Sequence, residues 1–502
     1  MITNSSIGRN GRLGNQLFQI AFLVGLSERF GVEYALPGWG YQEYFSYPFP
    51  VLHMNGEAVR EKSFSYSPDY NADSDSDFSG YFQSWKYFSH CESKIRDVFK
   101  FIERPHTKTK ETIGIHVRRE DYVNNSNYAE IYPTYYLSAL EKHFPNWRDM
   151  DILVFSDDPE YCRVHFNHPN FSVIEGNKDI EDLYLMFTKC EHFIIANSSL
   201  SWWGAWLIDN PGKKIIRPSD HFAGTLKVRN DTKDLYPEEW IEHSNYEQID
   251  LKDVTFVIPV AYDSLDRKQN LGLSVCILQR NFNTNIIIGE QGGDEFVYME
   301  RFNCRYIKFK YPYFHRTKML NEMTRISGTE IVVNWDADVF IPPLQIIEAV
   351  HMLKNGADVV YPYDGTFARM KRDKWWAGLK KGIDIGITRN TELDNIDNKI
   401  KSAGGVVAYN KGSFFRAGGE NENYVSWGNE DAEREYRFKK LGLRVKRTNG
   451  WLYHLDHWVG DNSCHRHVHG QHNMREWDKI SGMSEDNLAK YVKSWKWSGI
   501  TE

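Results

Sequence analysis

The sequence predicts an α/β protein of more than one domain, and three observations carry that prediction. At 502 residues the chain is too long for a single hydrophobic core. Short β-branched runs alternate with helical patterns at the spacing of strand–helix units, as at Ile113–Val117, Asp151–Phe155, Phe193–Ala196 and Ile331–Val333. Several of these runs end abruptly in charged residues, where open α/β sheets hold their ligands.

Composition narrows the function classes. Apolar residues make up 41% of the chain and aromatics 15%, enough for packed cores and for flat ring platforms that suit sugars. A formal charge of −7 argues against nucleic acid as a partner, because backbone phosphates need clustered basic residues. The six cysteines, Cys91, Cys162, Cys190, Cys276, Cys304 and Cys464, show no CxxC spacing and read as reduced thiols of a cytoplasmic protein. The sequence starts without an apolar signal-peptide core and holds no run of eighteen apolar residues. The expected membrane association is therefore at most peripheral, at an inner membrane face.

In Asn10–Phe22 (NGRLGNQLFQIAF), Gly11 and Gly14 flank a strand-to-helix turn, and an amphipathic helix is expected from Leu17 to about Phe30. Such glycines serve a left-handed φ or the close approach of a ligand. The acidic piece Ser67–Asp77 reads as an exposed loop. In Thr112–Tyr122 (TIGIHVRREDY), Ile113, Ile115 and Val117 alternate as a strand ending at Arg118, Arg119 and Asp121. Paired guanidinium groups there either grip a diphosphate or form a surface ion-pair cluster. Asp151–Phe155 runs into Ser156, Asp157 and Asp158, and Asp182–Lys189 reads as a helix. Asn197–Leu207 (NSSLSWWGAWL) is a loop entering a helix, where Ser198 and Ser199 either bind an anion or cap the helix.

The pieces GRLGNQLFQ, HVRREDY, FSDDPEY and NSSLSWWGAWL, in this order within residues 1–245, resemble the GDP-fucose-dependent α-1,2-fucosyltransferase family. The resemblance implies a metal-independent GT-B fold of two Rossmann-like domains, 1–110 on the acceptor side and 111–245 for GDP-fucose. It implies that Arg118 and Arg119 bind the donor diphosphate, that Asp121 orients them and that His116 supports the loop. Ser198 and Ser199 would hold the phosphates, and Asn15 would face the sugar–phosphate cleft. Arg118 and Asn15 are then the catalytic candidates of this half, Arg118 by stabilising charge on the departing phosphate. Glu120 stands where the family's HxRRGDY has glycine, an anion beside the expected diphosphate.

The polar stretch Pro237–Asp253 reads as a domain boundary, after which Thr255–Val260 starts a fresh strand. Tyr262, Asp263, the candidate donor contact Arg267 and a helix from about Gln269 look like the opening of a second nucleotide-sugar domain. Strands are expected at Asn285–Gly289 and Tyr306–Lys308, and a basic helix at Tyr313–Arg325 whose Arg316 is a candidate for the diphosphate. Thr329–Pro343 (TEIVVNWDADVFIPP) is the most informative stretch. Its unbroken β-branched run predicts a strand buried on both faces and ending in Asp336 and Asp338. Two carboxylates one residue apart can share a divalent cation, and a polar turn accounts for them too.

Beyond it, a helix is expected over Gln345–Lys354 and strands over Ala357–Tyr361, Gly404–Tyr409 and Val445–Thr448. Glu430 and Asp431 open a helix that closes at Gly442, so they are either dipole-favoured caps or hold a general base, with Trp427 nearby as a ring platform. His454 and His457 are core or surface residues, or one of them completes a metal site with Asp338.

FHRTKMLN, WDADVFI, GGVVAYNKGSFFRAGGENENYVSWGNEDAE and the downstream histidine resemble the GT-A galactosyltransferase/N-acetylgalactosaminyltransferase superfamily, over residues 253–465. That resemblance implies a UDP-sugar donor, Mn²⁺ (or Mg²⁺) and inversion. Asp338 and His454 are its implied metal ligands, Asp336 lies near the uridine–ribose and Arg316 matches the family's arginine. Trp427 is the implied acceptor-pocket residue and Asp431 the implied base, with Ala432 where some relatives carry a third acid. The domain is expected to span 253–480, and 481–502 to form a terminal amphipathic helix suited to packing or to a membrane surface.

Together the resemblances imply a bifunctional glycosyltransferase that adds fucose and then a hexose or N-acetylhexosamine, or the reverse. Its acceptor would be a glycan or lipid-linked oligosaccharide, in polysaccharide or glycan side-chain synthesis. The alternative is one active transferase whose other half is a carbohydrate-binding or scaffolding module.

Overall fold

The strands Thr112–Val117 and Asp151–Ser156 pair side by side at the centre of a six-stranded sheet. Its order is Ile241–His243, Ile215–Pro218, His192–Ile194, Thr112–Val117, Asp151–Ser156, Phe171–Val173, and every neighbouring pair is parallel. Thr112–Val117 is buried along its whole length, as a central parallel strand covered on both faces must be. The computed structural model describes residues 1–52, 56–72, 75–102, 111–261, 264–292, 303–371, 393–397, 401–458 and 467–498. The chain divides into two units, Met1–Arg163 with Pro169–Glu247, and Val164–His168 with Gln248–Glu502.

The first unit has a second, four-stranded parallel sheet, in the order Tyr34–Ala35, Ile2–Thr3, Ser76–Ser79, Glu57–Arg60. The helix Leu13–Phe30 is not amphipathic as expected: from Leu13 to Leu26 every residue but Asn15 is buried. Aromatic rings surround it. Phe18 meets Trp202 and Trp203 at 4.6 and 5.1 Å, and Phe22 stacks on Phe82 at 3.8 Å. Full burial of such a side chain stabilises by roughly 1.5–3 kcal/mol. The helix's polar residues bond inside this core, although Gln19 Oε1 has no hydrogen-bond partner among the described residues. Gln16 donates to the Gly11 carbonyl (2.9 Å) and accepts from Trp39 Nε1 (2.8 Å), while Gln19 donates to the Gly80 carbonyl (3.0 Å).

The acidic piece Ser67–Asp77 is likewise not a plain exposed loop. Tyr70 and Ala72 are buried, and Ser76–Ser79 is an inner strand of the four-stranded sheet. Tyr70 packs edge-on to Phe22 and accepts from the Lys62 backbone N–H (2.8 Å), and Asp77 accepts from the Ser5 backbone N–H and hydroxyl (2.8 and 2.6 Å). Mean polarity hid a few inward-facing residues among outward carboxylates.

The second unit is built on a seven-stranded mixed sheet, ordered Arg305–Phe309, Phe282–Gln291, Ile249–Ala261, Ile331–Trp335, Val406–Asn410, Val359–Tyr361, Val445–Arg447. Ile331–Trp335 is buried throughout. Val406–Asn410 runs antiparallel to both neighbours, so its start, at Gly404 and Gly405, lies beside the end of Ile331–Trp335. The Asp336 N–H donates to the Gly405 carbonyl there (2.8 Å). A smaller sheet orders Val339–Phe340, Leu452–Leu455, Phe367–Met370 and Leu393–Asp397. In the terminal helix Glu485–Lys493, Leu488 and Val492 pack with Ile480 and Trp495. Tyr262, Asp263 and Cys464 lie outside the described residues; the other five cysteines are free thiols. Among the described residues no helix is long and apolar enough to cross a membrane.

The two glycines of the first motif act differently. Gly11 has φ +80°, a left-handed turn, while Gly14 lets the helix touch the start of the helix Ser199–Leu207. A Cβ at Gly14 would lie 2.5 Å from the Leu200 backbone nitrogen and 2.7 Å from Ser199 Oγ. Gly14→Ala is expected to lower unfolding free energy by about 1–3 kcal/mol. Chemical denaturation checks this, and unchanged stability would mean the two helices part without loss.

Candidate functional site

In the first unit, the strand Thr112–Val117 delivers His116, Arg118 and Arg119 to its carboxyl end. Burial, and then the charge of Arg118, push the His116 imidazole down to about 3, so it is neutral. Arg118 Nη1 lies 2.6 Å from Asp157 Oδ2, and Nη2 pairs with Asp121. Arg119 engages a different carboxylate, with Nε 3.1 Å from Asp158 Oδ2 and its guanidinium 3.4 Å over the Tyr161 ring. Its backbone N–H donates to Asp157 Oδ1 (2.9 Å). The two arginines therefore do not form one fork. Arg119 braces the strand end, and Arg118 is held by Asp121 and Asp157.

Asn15 Oδ1 accepts from Gln83 Nε2 (2.6 Å) and from Ser199 Oγ (2.7 Å). Ser198 caps the helix Ser199–Leu207, its hydroxyl accepting from the Leu200 N–H (3.3 Å). Both serine hydroxyls thus have protein partners. Glu120 is exposed, with Oε2 3.7 Å from Arg12 Nη2.

In the second unit, Asp336 and Asp338 leave the end of Ile331–Trp335. The helix Arg316–Ile326 starts with Arg316, and the helix Glu430–Lys440 starts with Glu430 and Asp431. These residues line a cleft of about 450 Å³ together with Arg267, Trp427, His454 and His457. Arg316 is buried among carboxylates: Nη2 lies 2.7 Å from Asp336 Oδ1, and Nη1 lies 3.1 Å from Asp431 Oδ1 and 3.9 Å from Glu430 Oε1. Asp431 Oδ1 is also 2.9 Å from Arg434 Nη1, and the same nitrogen is 2.8 Å from the buried Glu420. Asp431 Oδ2 faces Gly404, where a Cβ would come to 3.0 Å.

Burial alone would raise the Asp431 carboxyl, yet Arg316 and Arg434 outweigh it and hold it below its ordinary value. At Asp336 burial wins over Arg316 and pushes the carboxyl up to about 6. Glu430 is pushed up to about 8, by burial first and then by the charge of Asp431. At neutral pH the adjacent pair holds one carboxylate and one carboxylic acid.

Asp338, His454 and His457 form a second cluster in the same cleft, with one ligand atom from each lying within 4.8 Å of the others. The pairing Val339↔His454 brings His454 beside Asp338. Asp338 Oδ2 is 3.0 Å from His457 Nε2 and 3.1 Å from Arg267 Nη1, and Oδ1 is 3.7 Å from His454 Nε2. Burial lowers His454 to about 4, which leaves its imidazole neutral. Burial would raise Asp338, but His454, His457 and Arg267 hold it well below the usual carboxylate range. At His457 burial is outweighed by the hydrogen bond and charge of Asp338, which raise it. One carboxylate and two imidazoles fit a cation that accepts nitrogen, such as Mn²⁺, better than Mg²⁺, which wants oxygen. Asp336 stands apart from this set, because Arg316 takes its carboxylate.

Trp427 sits on a turn whose preceding residue, Ser426, has φ +59°. Asn473, on the helix Gly470–Ser481, fastens that turn by donating to the carbonyls of Val425 (2.9 Å) and Trp427 (3.0 Å). His467 also bonds the Trp427 carbonyl. Sequence reasoning left His457 open and missed Asn473. The i, i+3 histidine spacing at a strand's end was the available signal for His457, and nothing in the sequence pointed to Asn473.

The Glu430 proton has a consequence for stability. Its carboxyl titrates near 4.5 ordinarily and near 8 in the fold. The stabilisation it brings is complete below the lower value and is lost as pH rises through the upper one. Glu430→Gln should therefore gain melting temperature relative to the native chain between about pH 6 and about pH 9. A difference that stays flat with pH would mean Glu430 is ionised throughout.

Two family models match the chain. Glycosyl transferase family 11 matches residues 53–244, which include Arg118, Arg119, Ser198 and Ser199. The model described as the N-terminal domain of galactosyltransferase matches residues 390–458, which include Trp427, Asp431, His454 and His457. An α-1,2-colitosyltransferase of Escherichia coli is 28% identical over 210 residues, 38% of this chain and 71% of its own length. The O-antigen biosynthesis glycosyltransferase WbnK of Escherichia coli is 35% identical over 139 residues, 26% of this chain and 44% of its own. A galactoside 2-α-L-fucosyltransferase of Caenorhabditis elegans is 27% identical over 179 residues, 32% of this chain and 50% of its own. The catalytic domain of a Drosophila β1,4-galactosyltransferase 7, solved with xylobiose, is 17% identical. It covers 39% of this chain and 63% of its own, with a TM-score of 0.22 that is too low to inform the fold. The chain is a glycosyltransferase, similar to glycosyl transferase family 11 over residues 53–244 and to the N-terminal domain of galactosyltransferase over residues 390–458.

Proposed function

We propose that the chain joins two transfers: of fucose or a related deoxysugar from a GDP-sugar in its first half, and of a hexose or N-acetylhexosamine from a UDP-sugar in its second. The observation that carries this reading is the Asp338–His454–His457 cluster, which shares one cleft with Asp431, in a chain that also holds the Arg118 cluster. In this reading residues 1–110 and 111–245 are the Rossmann-like halves of a GT-B fold, 253–480 is a GT-A domain and 481–502 a terminal helix. The two parallel sheets of the first unit and the mixed sheet of the second support it. The α-1,2-colitosyl and 2-α-L-fucosyl names of relatives support the first donor class, and the O-antigen name supports a glycan or lipid-linked oligosaccharide acceptor.

In the second half, Asp338, His454 and His457 would hold a Mn²⁺ ion, which supplies positive charge to the donor's diphosphate. Asp431 Oδ2 takes the proton of an acceptor hydroxyl while that oxygen bonds the anomeric carbon; the bond to the phosphate breaks with its electron pair on the phosphate oxygen. Arg316 and Arg434 keep Asp431 ionised for that role. In the first half, Arg118 stabilises the charge of the departing phosphate. It does so by exchanging the half-exposed Asp121 for phosphate oxygens, with Asp157 still holding it. Glu120 turns to Arg12. A second reading, a first half that binds carbohydrate without transferring it, is favoured by Arg118 being already paired with two carboxylates.

Chelation tests the division. EDTA should stop transfer from a UDP-sugar and spare transfer from GDP-fucose, because one half holds its diphosphate through a cation and the other through arginine. An equal effect on both would overturn it. Asp431→Asn tests the base. The isosteric amide keeps the volume and one oxygen for Arg316 and Arg434 but removes a buried negative charge, so the variant should melt below the native chain yet stay folded and bind UDP with Mn²⁺. Its transfer rate should fall roughly 10²–10⁴-fold; a normal rate would remove Asp431 from the mechanism and move suspicion to Glu430.

A further inference from the structure

The cleft of the second unit is lined by three arginines, Arg267, Arg316 and Arg369. Two of them are paired with carboxylates in this structure. Arg316 pairs with Asp336 and Asp431 and lies near Glu430, and Arg267 pairs with Asp338. Arg369 has no carboxylate within ion-pair reach among the described residues, and its guanidinium lies 5.8 Å from the Phe367 ring.

Strand geometry aims Arg369 at the cleft. In Phe367–Met370 the side chains alternate: Ala368 and Met370 are buried in the core at 0% and 2% exposure, so Phe367 and Arg369 share the opposite face. The neighbouring strand pairs Arg369 with His454 in register, and the Phe367 ring packs at 5.2 Å on the His454 ring. Arg369 therefore emerges on the face that carries a member of the Asp338–His454–His457 cluster.

We propose that Arg369 binds the diphosphate of the nucleotide-sugar donor at its departing phosphate, beside the residues Asp338, His454 and His457 that would hold an ion. The inference rests on the metal-dependent UDP-sugar reading above. Its physical basis is charge. A divalent ion on Asp338 would leave net positive charge at that site and take Asp338 from Arg267, so with Arg369 the cleft would present cationic groups that an anion of two or more charges suits best. A diphosphate has that charge and two phosphoryl groups to share, and guanidinium offers it paired donors. The departing phosphate gains charge as the sugar leaves, so a fixed cation there favours the product side of bond breaking. A lone uridine would gain nothing from Arg369.

Calorimetric titration of UDP and of uridine into the full chain with Mn²⁺ tests this. Arg369→Gln should bind UDP about tenfold more weakly, the loss expected for one charge-assisted contact, with uridine affinity unchanged. Arg369→Lys should recover part of the UDP affinity, because it keeps the charge and loses the fork. Arg369 is exposed, so both variants should melt within a few degrees of the native chain and bind Mn²⁺ alone normally. Native protein that binds UDP with Mn²⁺, matched by equal UDP affinity in Arg369→Gln, overturns the assignment of Arg369 alone. Native protein that binds no UDP with Mn²⁺ overturns the donor reading and this inference with it.

Discussion

The second unit's cleft depends on one buried guanidinium, that of Arg316. Around it and Arg434 gather four acidic side chains, Asp336, Glu420, Glu430 and Asp431. Taking a carboxylate from water into a protein interior costs several kcal/mol even after relaxation, so such a group persists only with positive partners in place. Asp431 lies between the two, with Oδ1 3.1 Å from Arg316 and 2.9 Å from Arg434. Two positive charges cannot hold four negative ones. Part of the excess is relieved at Glu430, whose burial and whose charged neighbour keep it protonated at neutral pH, and burial pushes Asp336 up to about 6. Adjacent residues on one helix thus take opposite protonation states, the arrangement that acid–base chemistry exploits.

The two units use cations differently. In the first, Arg118 and Arg119 are fixed charges rooted at a strand end, each tied to a carboxylate from the loop after Asp151–Ser156. Asp157 and Asp158 hold the guanidinium groups in place at the cost of part of their charge. In the second, the arginines Arg316 and Arg434 serve to assemble carboxylates, and a separate cluster of one carboxylate and two imidazoles suits an ion. A diphosphate can be met by either device. A guanidinium is always charged and needs no supply of metal, while an ion concentrates two charges at a point that one acidic side chain can anchor.

What the sequence made legible follows local rules. The β-branched run Ile331–Val333 ends at Trp335, and the two aspartates follow it, because a strand covered on both faces has no room for charge until it leaves the sheet. Arg118 and Arg119 stand at a strand end for the same reason. What stayed illegible was set by tertiary contact. Arg316 reads as part of a basic helix, and only the return of the chain at Glu430 and Asp431 turns it into a buried partner of carboxylates. Asn473 comes from a helix some fifty residues beyond the turn it fastens, and its hydrogen bonds have no local pattern. Tyr70 sits in an acidic stretch whose composition signals solvent, yet its ring completes the cluster around Phe22. Helix and strand periods reveal which face is buried, not what it is buried against.

The placement of Asp431 separates the two readings that its sequence position allows. At the start of a helix a carboxylate is stabilised by the macrodipole, and a cap would direct an oxygen at a free backbone N–H of the first turn. The helix Glu430–Lys440 has Asn429 as its N-cap, without a side-chain capping bond. Asp431 Oδ1 is given to Arg316 and Arg434, and Oδ2 faces the Gly404 backbone across the cleft. A cap alone would need neither buried arginine. The two guanidinium groups instead fix the carboxylate's orientation and keep it ionised, both through Oδ1. The small residue at Gly404 matters too, since a Cβ there would come to 3.0 Å from Oδ2. In the proposed base role, a carboxylate held this firmly and kept charged would accept a proton from a hydroxyl brought to it, and the helix dipole would add to the field that keeps it ionised.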